Sequence, residues 1–284
     1  MRAREPDVVG EVVRNGVRVG FDAYGDPARP CVVLLTSWAI VHMRQWKLQV
    51  AALSRSLFVV TVEGRGNGRA DRPDDDAAYA DEEYVDDAVA VLDRLGVDRA
   101  VVGGLSMGAR HALQLAAGHP ERAAGVVAIA PAFPWPMPPD FDQPRDSYDG
   151  WEKANLHYWL ADYRGWVEFF MSQVFTEPHS SKQWEDGVAW GLETDALTLL
   201  RTGLALASAT PETAERTCRQ VRCPVLVVHG DQDAVVPYAI GADVARWTGA
   251  EFVTVPGAGH GLPMRHPVLV NRLIRAFAER CLPV

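Results

Sequence analysis

The sequence contains few lysines, and this scarcity limits the ligands that the chain can bind. Only Lys47, Lys153 and Lys182 are lysines among 284 residues, and the formal net charge is −9. A nucleic-acid surface needs clustered Lys or Arg side chains, whereas the arginines of this chain are scattered among acids. We therefore expect no nucleic-acid partner and expect a small molecule as the ligand.

Cysteine is scarce as well. The chain has four cysteines, at positions 31, 218, 223 and 281, and their spacing is not that of a metal site. Cys31 and Cys223 each begin an apolar, strand-like run, so we interpret the cysteines as buried free thiols. No other cluster of metal ligands is visible in the sequence, and we expect neither a metal ion nor an organic cofactor.

Long apolar runs are missing from the chain. Residues 1–6 lack the apolar core of a signal peptide, and no run approaches the ~20 apolar residues that span a bilayer. We therefore expect a cytoplasmic protein with no membrane partner.

The glycine-rich stretches lack the neighbours that a phosphate site requires. Residues 64–68 follow a strand-like run, but Pro73 and several aspartates come next, so no helix N-terminus would face a phosphate. Residues 103–108 have the glycine spacing of a P-loop, yet Ala109 and Arg110 replace its Lys-Ser/Thr pair. We expect no nucleotide site.

What the sequence does contain is an alternation of strand-like and helix-like segments. Asn15 and Gly16 form a turn signal between two strand-like runs, 7–13 and 17–24, which predicts a hairpin. Further strand-like runs lie at 31–35, 57–62, 100–102, 125–130, 225–229 and 251–255. Apolar strands that alternate with helices predict an α/β fold, with a mostly parallel eight-stranded sheet and helices on both faces.

The clearest helix pattern covers residues 81–95. Val85, Val89, Leu92 and Leu95 fall on one stripe, acidic residues occupy the first turn and a glycine follows the end. These features are typical of an amphipathic helix with defined ends.

The alternation breaks once, over residues 132–214. A proline-rich connector at 131–144 opens this region, and helix-like segments without a strand pattern follow. The aromatic residues of these segments are Trp151, Tyr158, Trp159, Tyr163, Trp166, Phe169, Phe170, Trp184 and Trp190. We interpret 132–214 as a helical cap inserted into a core of residues 1–131 and 215–284, with its aromatics either packing the cap or facing a pocket.

Three polar residues follow strand-like runs in a suggestive order. Ser106 lies in the sequence Gly-Leu-Ser-Met-Gly, between a strand-like run and a helix-like one, which is the form of a nucleophile elbow. Asp233 and then His260 follow two later strands. Because the carboxyl ends of parallel strands share one edge of a sheet, we expect the three side chains to meet; Asp231 is the alternative acid, unless it stabilises a turn.

These motifs resemble those of the alpha/beta-hydrolase family, within a lidded branch of bacterial esterases and carbon-carbon bond hydrolases. The resemblance rests on residues 104–108, on Gly230, Asp233 and Pro237, on Gly259 with His260, and on the loop at 65–68. It covers nearly the whole chain.

The resemblance and the residue types together imply a catalytic triad and an oxyanion hole. Ser106 is the expected nucleophile, His260 the general base, and Asp233 the carboxylate that orients it. The backbone N–H groups of Met107 and Trp38 are the expected oxyanion donors. Relatives commonly have His-Gly before the second donor, where this chain has Thr36 and Ser37.

Five further residues are candidates for the substrate pocket: Ser37, His42, Trp135, Trp159 and His179. Capping or packing is the alternative for His42, and a surface turn is the alternative for His179. His111 is expected to be structural.

The expected function is cleavage of an ester or thioester of a small to medium, apolar acyl substrate through an acyl-enzyme. Three alternatives remain open at the level of sequence. They are hydrolysis of a carbon-carbon bond in a diketone, a biosynthetic acyl transfer or cyclisation, and small-molecule binding without hydrolysis.

Overall fold

The structure is a computed structural model and describes residues 4–134, 138–207 and 209–282. These residues fold around one sheet of eight strands in the order β1-β2-β4-β3-β5-β6-β7-β8. The strands are β1 (Val8–Arg14), β2 (Val17–Tyr24), β3 (Cys31–Leu35), β4 (Phe58–Val62), β5 (Ala100–Leu105), β6 (Ala123–Ile129), β7 (Val225–Gly230) and β8 (Glu251–Val255). The first two strands join the sheet antiparallel and the other pairs are parallel, so the predicted mostly parallel sheet is confirmed.

Helices fill the connections between strands. The α-helices of the described residues are α1 (Lys47–Leu53), α2 (Asp81–Arg94), α3 (Met107–Gly118), α4 (Leu156–Ala161), α5 (Tyr163–Val174), α6 (Ser181–Gly191), α7 (Ala196–Ala207), α8 (Pro211–Gln220), α9 (Tyr238–Thr248), α10 (Leu262–Arg265) and α11 (Pro267–Cys281). Short 3-10 helices lie at Met43–Trp46, Asp76–Tyr79 and Gly150–Lys153. In this part of the chain no helix combines the length and the apolarity that a membrane crossing requires.

The central strands β3 to β7 are buried on both faces, as their apolar sequences require. Side chains of one face, such as Leu34 and Val127, pack with α1 and α11, and those of the other face, such as Val33 and Val102, pack with α2, α3, α8 and α9. Each fully buried Val or Leu stabilises this arrangement by roughly 1.5–3 kcal/mol. The result is a three-layer frame that presents the carboxyl ends of the parallel strands at one edge.

Strand β5 is longer than the sequence pattern indicates. The apolar run ends at Val102, but the strand continues through Gly103 and Gly104, which pair in parallel register with Leu34 and Leu35. Glycine has a low intrinsic strand propensity, and here the neighbouring strand supplies the pairing. Ser106 therefore follows the end of the strand directly.

The described residues between β6 and β7 form a connector followed by helices, with no strand among them, and the helices pack an aromatic interior. Trp159 and Trp166 are each 1% exposed, with ring centroids 5.0 Å apart. Helix α8 differs from the rest, because it packs against α3 and α9 and buries Ala214 and Cys218 in the layer beneath the sheet. The expected cap boundary at 214 lies within this helix.

All four cysteines are free thiols, and they differ in burial. Cys31 and Cys218 are buried, and burial raises the pKa of each thiol to about 12. Cys223 and Cys281 are half-buried, so the expectation of burial holds fully for two of the four.

Candidate active site

Ser106 occupies a strained turn that only small neighbours permit. It links β5 to α3 with φ 58° and ψ −117°, a conformation that is unfavourable for a residue with a side chain. A Cβ atom on Gly104 would lie 2.1 Å from the carbonyl carbon of Gly108, and one on Gly108 would lie 2.5 Å from the Thr36 carbonyl oxygen. These contacts require glycine at both positions and give the turn the form of a nucleophile elbow.

The helix that follows Ser106 is anchored by a buried carboxylate. Asp81, at the start of α2, accepts hydrogen bonds from Arg110, from His111 Nε2 at 3.1 Å and from Gln114 at 2.6 Å. Burial alone would raise the pKa of Asp81, but these partners lower it to about 2. His111 also stacks on Tyr84, with centroids 4.7 Å apart. This placement agrees with a structural role for His111.

Asp233 and His260 form a direct hydrogen bond. Asp233 Oδ2 lies 2.8 Å from His260 Nδ1, and Asp233 Oδ1 accepts the backbone N–H groups of Val235 and Val236, each at 2.8 Å. Burial opposes ionisation, but the neighbouring His260 and His229 hold the pKa of Asp233 well below the usual range. Because an ionised carboxylate accepts hydrogen bonds and cannot donate them, Nδ1 of His260 is the donor in this bond.

A second histidine, His229, also binds the Asp233 carboxylate, and sequence reasoning missed it. Its Nε2 lies 3.1 Å from Asp233 Oδ2 and 3.1 Å from the Val236 carbonyl oxygen. The ring is fully buried against α9, where a Cβ on Gly241 would lie 2.1 Å from His229 Nδ1. The sequence feature that could have identified His229 is its position near the end of β7, four residues before Asp233.

Asp231 does not contact His260 in the structure. Its Oδ1 accepts the backbone N–H of Gly257 at 2.7 Å, on the loop that leads to His260, and the residue is exposed. This arrangement agrees with the turn-stabilising alternative for Asp231.

Ser106 and His260 both line one cavity between the sheet edge and the cap. The described lining residues are Ser37, Trp38, Val41, Leu105, Ser106, Met107, Ala132, Phe170, Met171, Val174, Phe175, Gly187, Trp190, Val235, His260 and Met264. His260 is the one ionisable side chain in that set. Across the described residues, including this cavity, no group of three or more His, Cys, Asp or Glu side chains is placed to bind a metal ion.

Trp38 and Met107, the two residues expected to supply the oxyanion donors, both line this cavity. Met107 is the first residue of α3, and neither its N–H nor that of Trp38 donates to an acceptor in the described chain. The loop after β3 is held from both sides. Trp38 Nε1 donates to Thr202 Oγ1 of the cap at 2.7 Å, and Asn67 Nδ2 donates to the Ala39 carbonyl oxygen.

Of the expected pocket residues, Ser37 is among those that line the cavity and Trp159 is not. Trp159 packs behind Trp38, with centroids 5.8 Å apart, and its other face meets Trp166. It therefore supports the cavity wall from inside the cap, which corrects the expected pocket position. Trp135 lies outside the described residues.

His42 and His179 also lie outside the cavity lining. His42 caps the helix at Met43–Trp46, because its Nδ1 accepts the Arg44 N–H at 2.9 Å. Burial, together with the charges of Arg44 and Arg69, lowers the pKa of His42 to about 3. His179 is exposed in a turn with φ 62°, and its carbonyl oxygen accepts from Arg265. Both placements correct the expected pocket roles and match the alternatives of capping and a surface turn.

Comparison with known proteins gives relatives along the whole chain. The chain is 27% identical to the 2-hydroxymuconate semialdehyde hydrolase of Pseudomonas sp. (strain CF600), over 96% of this chain and 94% of that protein. It is 24% identical to the bifunctional esterase/perhydrolase DCH of Acinetobacter calcoaceticus, over 93% of this chain and 97% of that protein.

Solved structures share the fold. The enol-lactonase from Burkholderia xenovorans LB400 superposes with a TM-score of 0.78 at 21% identity, covering 94% of this chain and 99% of that one. The sequence profile of the alpha/beta hydrolase fold matches residues 30–267. The chain therefore belongs to the alpha/beta hydrolase fold family and is a hydrolase enzyme.

Proposed function

We propose that this protein is a serine hydrolase that cleaves an ester or thioester of a small to medium, largely apolar acyl group. The observation that carries the proposal is the 2.8 Å bond between Asp233 and His260, at the cavity that Ser106 also lines. A serine hydroxyl needs an adjacent base at neutral pH, and an oriented neutral histidine is suited to that task.

In the proposed first step, Ser106 Oγ attacks the substrate carbonyl carbon. His260 Nε2 takes the hydroxyl proton, and the ionised Asp233 stabilises the imidazolium without taking the proton. The carbonyl oxygen becomes an oxyanion that accepts the N–H groups of Trp38 and Met107, and the positive end of the α3 dipole favours the same charge. Collapse of this intermediate breaks the bond to the leaving oxygen or sulfur, which receives its proton from His260.

In the second step, water attacks the ester formed between Ser106 and the acyl group. His260 accepts a proton from the water, the same two N–H groups hold the oxyanion, and the Ser106 oxygen leaves with the returned proton. The products are the carboxylic acid and the regenerated enzyme, so no further reactant is needed.

The lining of the cavity favours an uncharged acyl group. No Lys or Arg side chain lines it within the described residues, and aromatic, aliphatic and methionine side chains form most of its wall. A buried carboxylate without a cationic or hydrogen-bonding partner is strongly disfavoured.

Carbon-carbon bond hydrolysis is the second candidate, and the Pseudomonas relative at 27% identity favours it. The name of that protein's substrate, a muconate derivative, indicates a carboxylate. The apolar lining here offers no cation for such a group, which is why we place ester hydrolysis first. Loss of a dienoate chromophore, compared with release of nitrophenol from short acyl esters, separates the two reactions.

The test compares Ser106→Ala with Ser37→Ala, a second serine of the same cavity. On a panel of short-chain nitrophenyl esters and acyl thioesters, we expect Ser106→Ala to lower kcat by at least about 10⁴-fold, because the nucleophile is lost. We expect Ser37→Ala to stay within about tenfold of the wild type. Equal hydrolysis by wild type and Ser106→Ala would refute the proposal.

A further inference from the structure

His260 lies on a loop that needs outside support. This histidine loop (residues 256–261) joins β8 to α10 and contains three glycines. The core binds its first half: Gly257 N–H donates to Asp231 Oδ1 at 2.7 Å, and the Ala258 carbonyl oxygen accepts the Gln232 N–H at 3.0 Å. These bonds end two residues before His260.

The two backbone N–H groups that flank His260 both donate to the cap. Gly259 N–H donates to Glu177 Oε1 at 2.9 Å, and Gly261 N–H donates to the Val174 carbonyl oxygen at 3.1 Å. Both acceptors belong to the cap segment 174–179, which begins at the last residue of α5. The backbone around His260 is thus held on one side by the core and on the other by the cap.

The fit between the two segments leaves no room for larger side chains. A Cβ atom on Gly259 would lie 2.7 Å from Thr176 Oγ1, and one on Gly261 would lie 2.6 Å from the Phe175 ring. Glycine at these positions allows the cap segment to approach the backbone closely.

Two basic side chains, Arg265 and His266, lie beside Glu177. Its carboxylate lies 3.9 Å from Arg265 Nε and 3.7 Å from His266 Nε2, and its side chain is 10% exposed. Arg265 also donates to the carbonyl oxygens of Pro178 at 2.9 Å and His179 at 3.2 Å. The carboxylate that holds Gly259 therefore lies close to basic side chains of the residues that follow the histidine loop.

The cap segment also reaches the substrate cavity. Val174 and Phe175 line the cavity beside His260. A bound substrate that displaces these two side chains would therefore move the same cap segment that holds the backbone around His260.

We propose that Glu177 is a positioning residue that holds the histidine loop so that His260 Nε2 faces Ser106. The inference rests on the proposed function and adds that the cap takes part in placing the general base. Because a displacement of about 1 Å between reacting groups can lower a rate by about 100-fold, loss of the Glu177–Gly259 bond should lower kcat more than it raises KM.

Three substitutions at Glu177 separate the hydrogen bond from the charge. Glu177→Ala removes both. Glu177→Asp keeps the charge beside Arg265 and His266 but retracts the carboxylate from Gly259, and Glu177→Gln keeps the reach and loses the charge. Glu193→Gln is the matched control, because Glu193 is a cap carboxylate that pairs with Arg44 far from the histidine loop.

We expect Glu177→Ala and Glu177→Asp to lower kcat for a short nitrophenyl ester by about 10- to 100-fold, with KM within about threefold. Glu177→Gln and Glu193→Gln should stay within about threefold of the wild type. Wild-type kcat in Glu177→Asp, or an equal loss in Glu193→Gln, would overturn the inference. Circular dichroism and Tm verify folding, and if Glu177→Ala does not fold, the Asp and Gln pair decides.

The outcome at Ser106 keeps this inference distinct from the proposed function. If Ser106→Ala retains ester hydrolysis, the proposed function fails whatever the Glu177 variants do. If Ser106→Ala is inactive and the Glu177 variants match the wild type, only the positioning role fails.

Discussion

The sheet and the cap hold their side chains in different ways. At the sheet edge, backbone geometry fixes the reacting groups: Ser106 lies in a strained turn, and two N–H groups and two histidines bind the Asp233 carboxylate. In the cap, Trp159 and Trp166 pack against each other, and they also contact the rings of Phe141 and Phe170. Aromatic packing tolerates adjustment more readily than a fully bonded carboxylate does, so changes at the sheet edge should alter kcat and changes in the aromatic interior of the cap should alter stability.

The largest expected effect is at the sheet edge. Asp233→Asn keeps the shape of the side chain but loses the charge that stabilises the His260 imidazolium and fixes its tautomer. We expect kcat for a short nitrophenyl ester to fall by about 10³- to 10⁴-fold in the folded variant, as such a change does in other triads.

Asp231→Asn is the control for this prediction. Asp231 is an exposed carboxylate two residues away that binds the same loop through Gly257, and its replacement should lower kcat by less than about tenfold, because Asp233 still orients His260. If the two variants lost activity equally, the distinction between the orienting acid and a turn carboxylate would be wrong.

The next effect is in the cap and concerns stability. Trp166 is 1% exposed and contacts four aromatic rings, so Trp166→Ala should lower the free energy of unfolding by about 3–5 kcal/mol. Urea unfolding measures this change. Trp151→Ala, at a residue that is 39% exposed in the same cluster, should have a clearly smaller effect. The folded Trp166→Ala protein should keep kcat within about tenfold, and a loss as deep as that of Asp233→Asn would remove the contrast between the two regions.

The smallest expected effect is on the pH dependence of stability, and it comes from Asp81, the carboxylate that anchors α3. The pKa of Asp81 is lowered from 3.8 to about 2, so its ionised form stabilises the fold above about pH 4 and this contribution is lost as the pH falls to 2. The wild type should lose about 2 kcal/mol of unfolding free energy between pH 5 and pH 2 through this group. Asp81→Asn should be less stable at pH 5 and should lack this part of the acid dependence; an unchanged slope in urea titrations would contradict the assignment.

The sequence predicted the sheet and the positions that meet at its edge because those features depend on local signals. Apolar runs marked the strands, and Ser106, Asp233 and His260 each stood next to the turn residues that end a strand. Parallel topology then brings strand ends together whatever the rest of the chain does. The same reasoning could have included His229, which lies near the end of β7, the strand that Asp233 follows.

The cap could not be predicted at this level because its contacts depend on how its helices pack. Trp159 and Phe170 follow similar helical patterns, yet Phe170 lines the cavity and Trp159 lies behind Trp38. The bond between Glu177 and Gly259 joins positions 82 residues apart, and no local pattern indicates it. The expected cap boundary at 214 falls inside helix α8 for the same reason, because the contacts of α8 with α3 and α9 are not visible in the sequence.

The most direct measurement is covalent labelling of the native protein with a fluorophosphonate, followed by mass spectrometry of its peptides. An activated serine should form one adduct per chain, on the peptide that contains Ser106. The adduct should be absent from folded Ser106→Ala and should form much more slowly in Asp233→Asn. A folded wild-type protein without the adduct, or equal labelling of Ser106→Ala at another residue, would contradict the assignment of Ser106 as the nucleophile.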